Sequence, residues 1–172
     1  MEGVHRTPEG GFMKPTLRAG IVLGLAVMVW TFIMGFTGWY KDPALTNLFW
    51  VVILLQIGVI AWGLTLTREE GKRYGGQLMS GTLIAVYAAI IGIFSSLLFT
   101  MVVFPEYFEE IRVMQVEALA QRGMTAEQIE QTQAITDKVQ TPTMNAALGF
   151  VMTIITGFII SLILAAFIRK KD

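Results

Sequence analysis

Four stretches of this chain, Ala19–Gly38, Leu45–Leu66, Leu78–Phe104 and Thr143–Ile168, contain no Asp, Glu, Lys, Arg or His. A helix needs about 20 mostly apolar residues to cross the hydrocarbon core of a bilayer, and each stretch supplies them. The 13 basic and 13 acidic residues all fall in the connecting and terminal segments. A charge at mid-bilayer costs several kcal/mol, so this segregation predicts an all-α membrane protein with four spanning helices. The 54% hydrophobic composition agrees and excludes an ordinary soluble domain.

The first stretch follows Lys14 and Arg18, as a signal peptide would. It is longer than a signal's apolar region and no small-residue cleavage site follows, so it reads as a retained span. Residues 1–18 form a flexible cytoplasmic tail in this reading, and 19–172 a single membrane domain with a helical insertion at 105–141. The chain has no cysteine, which removes disulfides and thiolate chemistry without identifying a compartment.

Loop charges give the orientation. The tail (Arg6, Lys14, Arg18), the second loop (Arg68, Lys72, Arg73) and the C-terminus (Arg169, Lys170, Lys171) share one side. The other side has Lys41, Arg112, Arg122 and Lys138. The positive-inside rule places both termini in the cytoplasm and the third loop on the outer side, which is the periplasm in a cell with two membranes. Trp39, Tyr40, Phe49 and Trp50 then mark the outer interface and Trp62 the inner one.

Lipid does not drive helices together, so close packing relies on small residues. The third span carries Gly81, Ala85, Ala88, Gly92 and Ser95 at heptad spacing, suited to a left-handed crossing. The fourth carries Gly149, Thr153, Gly157, Ser161 and Ala165, spaced by four, the small-xxx-small pattern. The first has Gly20 and Gly24. These seams serve packing within the bundle or, alternatively, a homo-oligomer face. Gln56 is the one amide deep in a span. It makes an interhelical hydrogen bond or, in a transporter, lines a solute path. Spans one and three share a faint spacing echo, Gly20 to Pro43 and Gly81 to Pro105, as a two-helix duplication would leave.

The third loop is too long to be structureless. Pro105 suits a first helical position, with Glu106, Glu109 and Glu110 near the positive end of the helix dipole. Gly123 stops that helix. Thr125 and Gln128 form the capping box of a second, and Thr141-Pro142 starts the fourth span. At 100° per residue, Phe108, Ile111, Met114, Ala118 and Leu119 share one arc of the first helix, with Arg112 and Arg122 in or beside it. Glu109, Glu110 and Glu117 lie opposite. In the second helix, Ile129, Thr132, Ile135, Thr136 and Val139 share a face. The expectation is an extracytoplasmic amphipathic hairpin that lies on the outer leaflet or packs its arcs together above the bundle. Its apolar arc, flanked by the two arginines, is the candidate contact for lipid or a protein partner. The carboxylates read as a solvated face: no His partner or calcium-loop pattern accompanies them.

Nothing in the chain has the spacing of catalytic chemistry. His5, the one histidine, sits in the tail. There is no nucleophile elbow, phosphate-binding glycine loop or zinc pattern. Tyr74–Gln77, "YGGQ", reads as a loop before span three. Lys72 and Arg73 are placed to meet anionic headgroups. No cofactor, metal or nucleic acid is implied.

Five segments in order, "EEGKRYGGQLMSG", "FPEYFEE", "RGMTAEQIEQ", "TPTMNAALGF" and "SLILAAFIRKKD", resemble the bacterial membrane-protein family called domain of unknown function 4199. The likeness runs from Lys14 to Asp172. It implies a four-helix inner-membrane protein with a helical insertion before the last span, and no established activity or site residues. The functional expectation is a non-enzymatic accessory or scaffold subunit that touches a partner or lipid through the hairpin. A small oligomeric transporter or channel is the alternative, and an enzyme on lipid-linked substrates a more distant one.

Overall fold

A computed structural model describes residues 13–168. His5, Arg6, Arg169, Lys170 and Lys171, and most of the expected flexible tail, lie outside the described residues, as does the ring of Phe49. The described chain is all-helical: α1 Pro15–Thr37, α2 Trp50–Arg68, α3 Tyr74–Leu98, α4 Tyr107–Gln121, α5 Ala126–Val139 and α6 Pro142–Ile168. Helices α1, α2, α3 and α6 are each long and apolar enough to cross a membrane. The shortest, α2, has 19 residues, about 28 Å at 1.5 Å per residue.

α3 packs on α1, α2 and α6, and α2 also touches α1 and α6, which sets α1 and α6 at opposite corners. Ala19, Leu23, Ile60, Leu64, Ile84 and Ala88 form the buried centre. Small residues bring the backbones close there. A methyl group on Gly81 would collide with the Ser161 side chain, and one on Gly157 with the Cβ of Ala85. These two contacts lock α3 to α6. On α1, Gly20 lies against Tyr87 and the Ile84 carbonyl, and Gly24 against Ile91. Gly63 of α2 fills the same role against Ala19 and Ile84, which its spacing did not signal.

Several boundaries differ from expectation. α1 starts at Pro15, four residues before the charge-free run, because proline suits the first turn. Arg18 is therefore helical, and its guanidinium lies 5.7 Å from the centre of the Trp62 ring, covering the indole with its charge and stem. The second span begins at Trp50, not Leu45. Pro43–Phe49 winds instead as a tight 3-10 turn, capped by the Asp42 carboxylate, which accepts from the Ala44 N–H at 2.8 Å. Hydropathy cannot distinguish the two winding modes. "YGGQ" is not a loop: it is the first turn of α3, closed by Gln77 N–H to the Arg73 carbonyl at 2.9 Å. Pro105 lies two residues ahead of α4 in a turn rather than at its first position.

The caps of the insertion follow local chemistry. Gly123 has φ +79°, where only glycine is unstrained. Its N–H bonds the Ala120 carbonyl at 2.9 Å and the Met124 N–H bonds the Leu119 carbonyl at 3.3 Å, the two bonds of a Schellman stop. Thr125 and Gln128 form the reciprocal capping box of α5. Thr141 Oγ1 accepts from the Met144 N–H at 3.2 Å to open α6.

Candidate functional site

Three features gather at the end of the bundle where α3 finishes and α6 begins. The first is an aromatic clamp. After Leu98 the helix widens by one residue over Phe99–Val103, and the Phe104 N–H reaches back to the Phe99 carbonyl at 2.8 Å. Such a π-turn brings i and i+5 onto one side, and the Phe99 and Phe104 rings sit 4.6 Å apart. Phe32 and Phe36 of α1 meet these rings edge-on, and Tyr107 of α4 joins Phe99 to Tyr40. Aromatic pairs of this kind contribute about 0.5–1.5 kcal/mol each beyond burial. Beside the clamp, the Tyr40 hydroxyl donates to Glu110 Oε2, and Lys41 Nζ pairs with Glu110 Oε1 at 2.7 Å. The base of α4 is thus tied to the loop that follows α1.

These ties move the titrations. Burial, then the bond to Glu110, pushes the Tyr40 hydroxyl up to about 12. The Lys41 and Tyr40 bonds hold the Glu110 carboxyl below its ordinary value, and the Glu110 bond raises Lys41.

The second feature is the groove between α4 and α5, a cavity of about 460 Å³. Val116, Ala126, Ile129 and Ala134 give it an apolar floor, and Arg112, Glu130 and Asp137 a charged rim. Arg112 lies 3.6 Å from both Glu109 and Asp137, a loose arrangement for an ion pair. Gln133 lines this groove with only 6% of its surface exposed, and neither its amide N–H nor its amide oxygen has a partner. Burying an amide without partners costs roughly 1–3 kcal/mol.

The third is a cleft of about 470 Å³ inside the same half of the bundle, lined by α1, α2, α3 and α6 and by Tyr107. Gly92 and Gly149 face it, and a Cβ on either would meet nothing within 4 Å. The two small-residue seams therefore divide. Gly81, Ala85, Gly157 and Ser161 bring helices together, while Gly92 and Gly149 line open space.

The other expected residues fall as follows. Ala88 is in the core. Thr153 is half-buried, and its carbonyl accepts from Gln56 Nε2 at 2.9 Å. Gln56 Oε1 accepts from Thr156 at 3.0 Å, so the deep amide spends both ends on α6. Phe108, Ile111, Met114 and Leu119 are half-buried, and Arg112 and Arg122 are exposed. The open apolar side chains of the hairpin are instead Val113, Ile135 and Val139. Glu109, Glu110 and Glu117 do not converge: Glu110 faces Lys41 and Glu109 faces Arg112. Among the described residues, no three His, Asp or Glu side chains gather as a metal site would. At the opposite end, Lys72 pairs with Glu70 at 2.8 Å and donates to Ser80 at 2.9 Å. The buried Gln77 accepts from Thr67 at 2.8 Å there. The groove amide Gln133 was invisible in the sequence, where a glutamine in a polar helix reads as solvated.

No curated protein and no solved structure matches the chain. A family model matches residues 18–170, nearly the whole described structure. The chain therefore belongs to the family described as "Protein of unknown function (DUF4199)".

Proposed function

We propose that this protein is a non-enzymatic scaffold of a bacterial inner membrane, with four spanning helices, and that its α4–α5 hairpin holds a segment of a partner protein outside the cytoplasm. The carrying observation is Gln133: a buried amide with two unused hydrogen-bonding ends, set in an apolar-floored groove with charges at its rim. A side-chain amide donates and accepts at once, which matches the paired N–H and C=O of a polypeptide backbone. The small apolar floor suits short side chains, and the rim charges suit polar ones. The clamp and the Glu110 ties hold the hairpin at its base, so the groove is presented rather than covered.

The test is photocrosslinking in intact cells from Ala134 and Ala126, which line the groove. Both positions should give the same discrete protein adduct, and Gln133→Leu should remove it. Adducts to lipid alone from these positions would overturn the reading.

A second reading, contact with the membrane surface, is favoured by Ile135 and Val139 of α5, 69% and 46% exposed. It predicts lipid adducts from position 135 that survive Gln133→Leu.

A further inference from the structure

The cleft in the hairpin half of the bundle has properties that packing alone does not require. Membrane helices associate through close contact of small residues, yet Gly92 and Gly149 form walls where a Cβ would meet nothing within 4 Å beyond their own stretch of helix. A volume of about 470 Å³ lies in the range of small-molecule sites. Much of the lining is apolar, with hydroxyl and amide groups from Thr31, Ser96, Thr100 and Asn145 among it. No lining residue carries a formal charge, so a phosphate or carboxylate inside would have no counter-ion and a high desolvation cost. Exposed Leu148 and Met152 stand on its rim, which makes it a cleft open at the bundle surface rather than a sealed void.

A smaller pocket of about 50 Å³ adjoins it, sharing Thr31, Val52, Phe99 and Tyr107. Trp30 lines that pocket, and its indole N–H is buried and without an acceptor. A buried donor left unpaired is unfavourable, and an oxygen acceptor arriving through the cleft would satisfy it.

We infer that this cleft binds an uncharged amphiphile from the lipid phase, an apolar chain bearing a carbonyl or hydroxyl oxygen directed toward Trp30. The apolar walls take the chain and the absence of charge excludes anionic headgroups from the interior. The Thr31 and Thr100 hydroxyls already donate to the Val27 and Ser96 carbonyls and the Asn145 amide to Ser96 Oγ, so their oxygens remain as acceptors for a ligand hydroxyl. The site is separate from the α4–α5 groove and does not depend on the partner reading.

The experiment uses the full chain in nanodiscs containing a trace of photoactivatable diacylglycerol, with adducts located by peptide mass spectrometry. Labelling should concentrate on the half-buried Met28 and Thr31 over the lipid-facing Phe167, which is 75% exposed. Gly92→Leu with Gly149→Leu should fill the open space and lower cleft labelling about tenfold or more, while labelling at Phe167 stays unchanged. Excess unlabelled diacylglycerol should compete, and excess phosphatidylglycerol should not. Thr31→Leu, which narrows the cleft from α1, gives the same readout if the double variant does not fold. Labelling no greater in the cleft than at Phe167, or labelling unaffected by filling, overturns the assignment. Equal competition by both lipids overturns its uncharged character.

Discussion

Gln56 and Gly157 meet at one point of the α2–α3–α6 contact, and each carries a separable consequence. Gln56→Ala removes bonds to the Thr153 carbonyl and the Thr156 hydroxyl; the expected loss is about 0.5–1 kcal/mol, by analogy with other intramembrane hydrogen bonds. Gly157→Leu should cost more, about 1–3 kcal/mol or beyond, because even a Cβ there runs into Ala85 and lies 3.0 Å from Gln56 Nε2. Reversible unfolding in mixed micelles checks both values and their order. The lone amide was legible as a bonding group from its isolation in an apolar run. Its partners were not, since they depend on the register of α6. The glycines make the same point: Gly81 and Gly92 belong to one seam by spacing, yet only Gly81 touches a neighbouring helix.

The Tyr40–Glu110–Lys41 cluster gives a signed pH dependence. Glu110 is depressed in the fold, so its contribution is present above its ordinary value of 4.5 and lost as pH falls through the folded value. Tyr40 and Lys41 are raised. Their contributions are complete below the ordinary values of 10.0 and 10.5, and are lost as pH rises, for Tyr40 towards about 12. Spin labels at the exposed Ala44 and Ala118 should report one fixed distance from about pH 5 to pH 10, and a broadened one only once the pH has fallen through the depressed value of Glu110. An unchanged distance across the acid range would contradict the tie. Absorbance at alkaline pH should show Tyr40 ionising near 12, and Glu110→Gln should lower that titration.

At the scale of the element, helix ends in the insertion were readable because their chemistry is local. Thr125→Ala removes the capping box and should cost about 1 kcal/mol. Gly123→Ala forces φ +79° on an L-residue and should cost about 1–2 kcal/mol. Hydrogen exchange across α4 and α5 measures both, with the first effect concentrated in the first turn of α5. The elements that escaped the sequence are those set by tertiary contact or by winding mode. The 3-10 turn Pro43–Phe49 carries no charge, so it joins the charge-free run of the helix it precedes. The π-turn Phe99–Val103 shows only when its rings find α1 and α4. The hairpin arcs were readable as periodicity. Their depth was not: Phe108, Ile111, Met114 and Leu119 are half-buried, and Val113, Ile135 and Val139 are left open.

At the scale of the molecule, charge segregation alone foretold four long apolar helices, because a single buried charge is costly enough to order the whole chain. Which helices neighbour which was not legible. α3 serves as the hub because Gly20, Gly24, Gly63 and Gly157 all turn their bare faces toward it. The cleft and the groove lie at the same end of the bundle as the aromatic clamp, so partner contact and lipid occupancy would share one rigid base. The proposed function requires this end to face away from the cytoplasm. The absence of native cysteine makes single-cysteine labelling with a membrane-impermeant maleimide the most direct measurement. Gln131→Cys on α5 and Glu69→Cys after α2 are both at exposed positions. In intact spheroplasts, position 131 should label and position 69 should label only after permeabilisation. The reverse pattern would contradict the orientation and, with it, the proposed docking of an external partner.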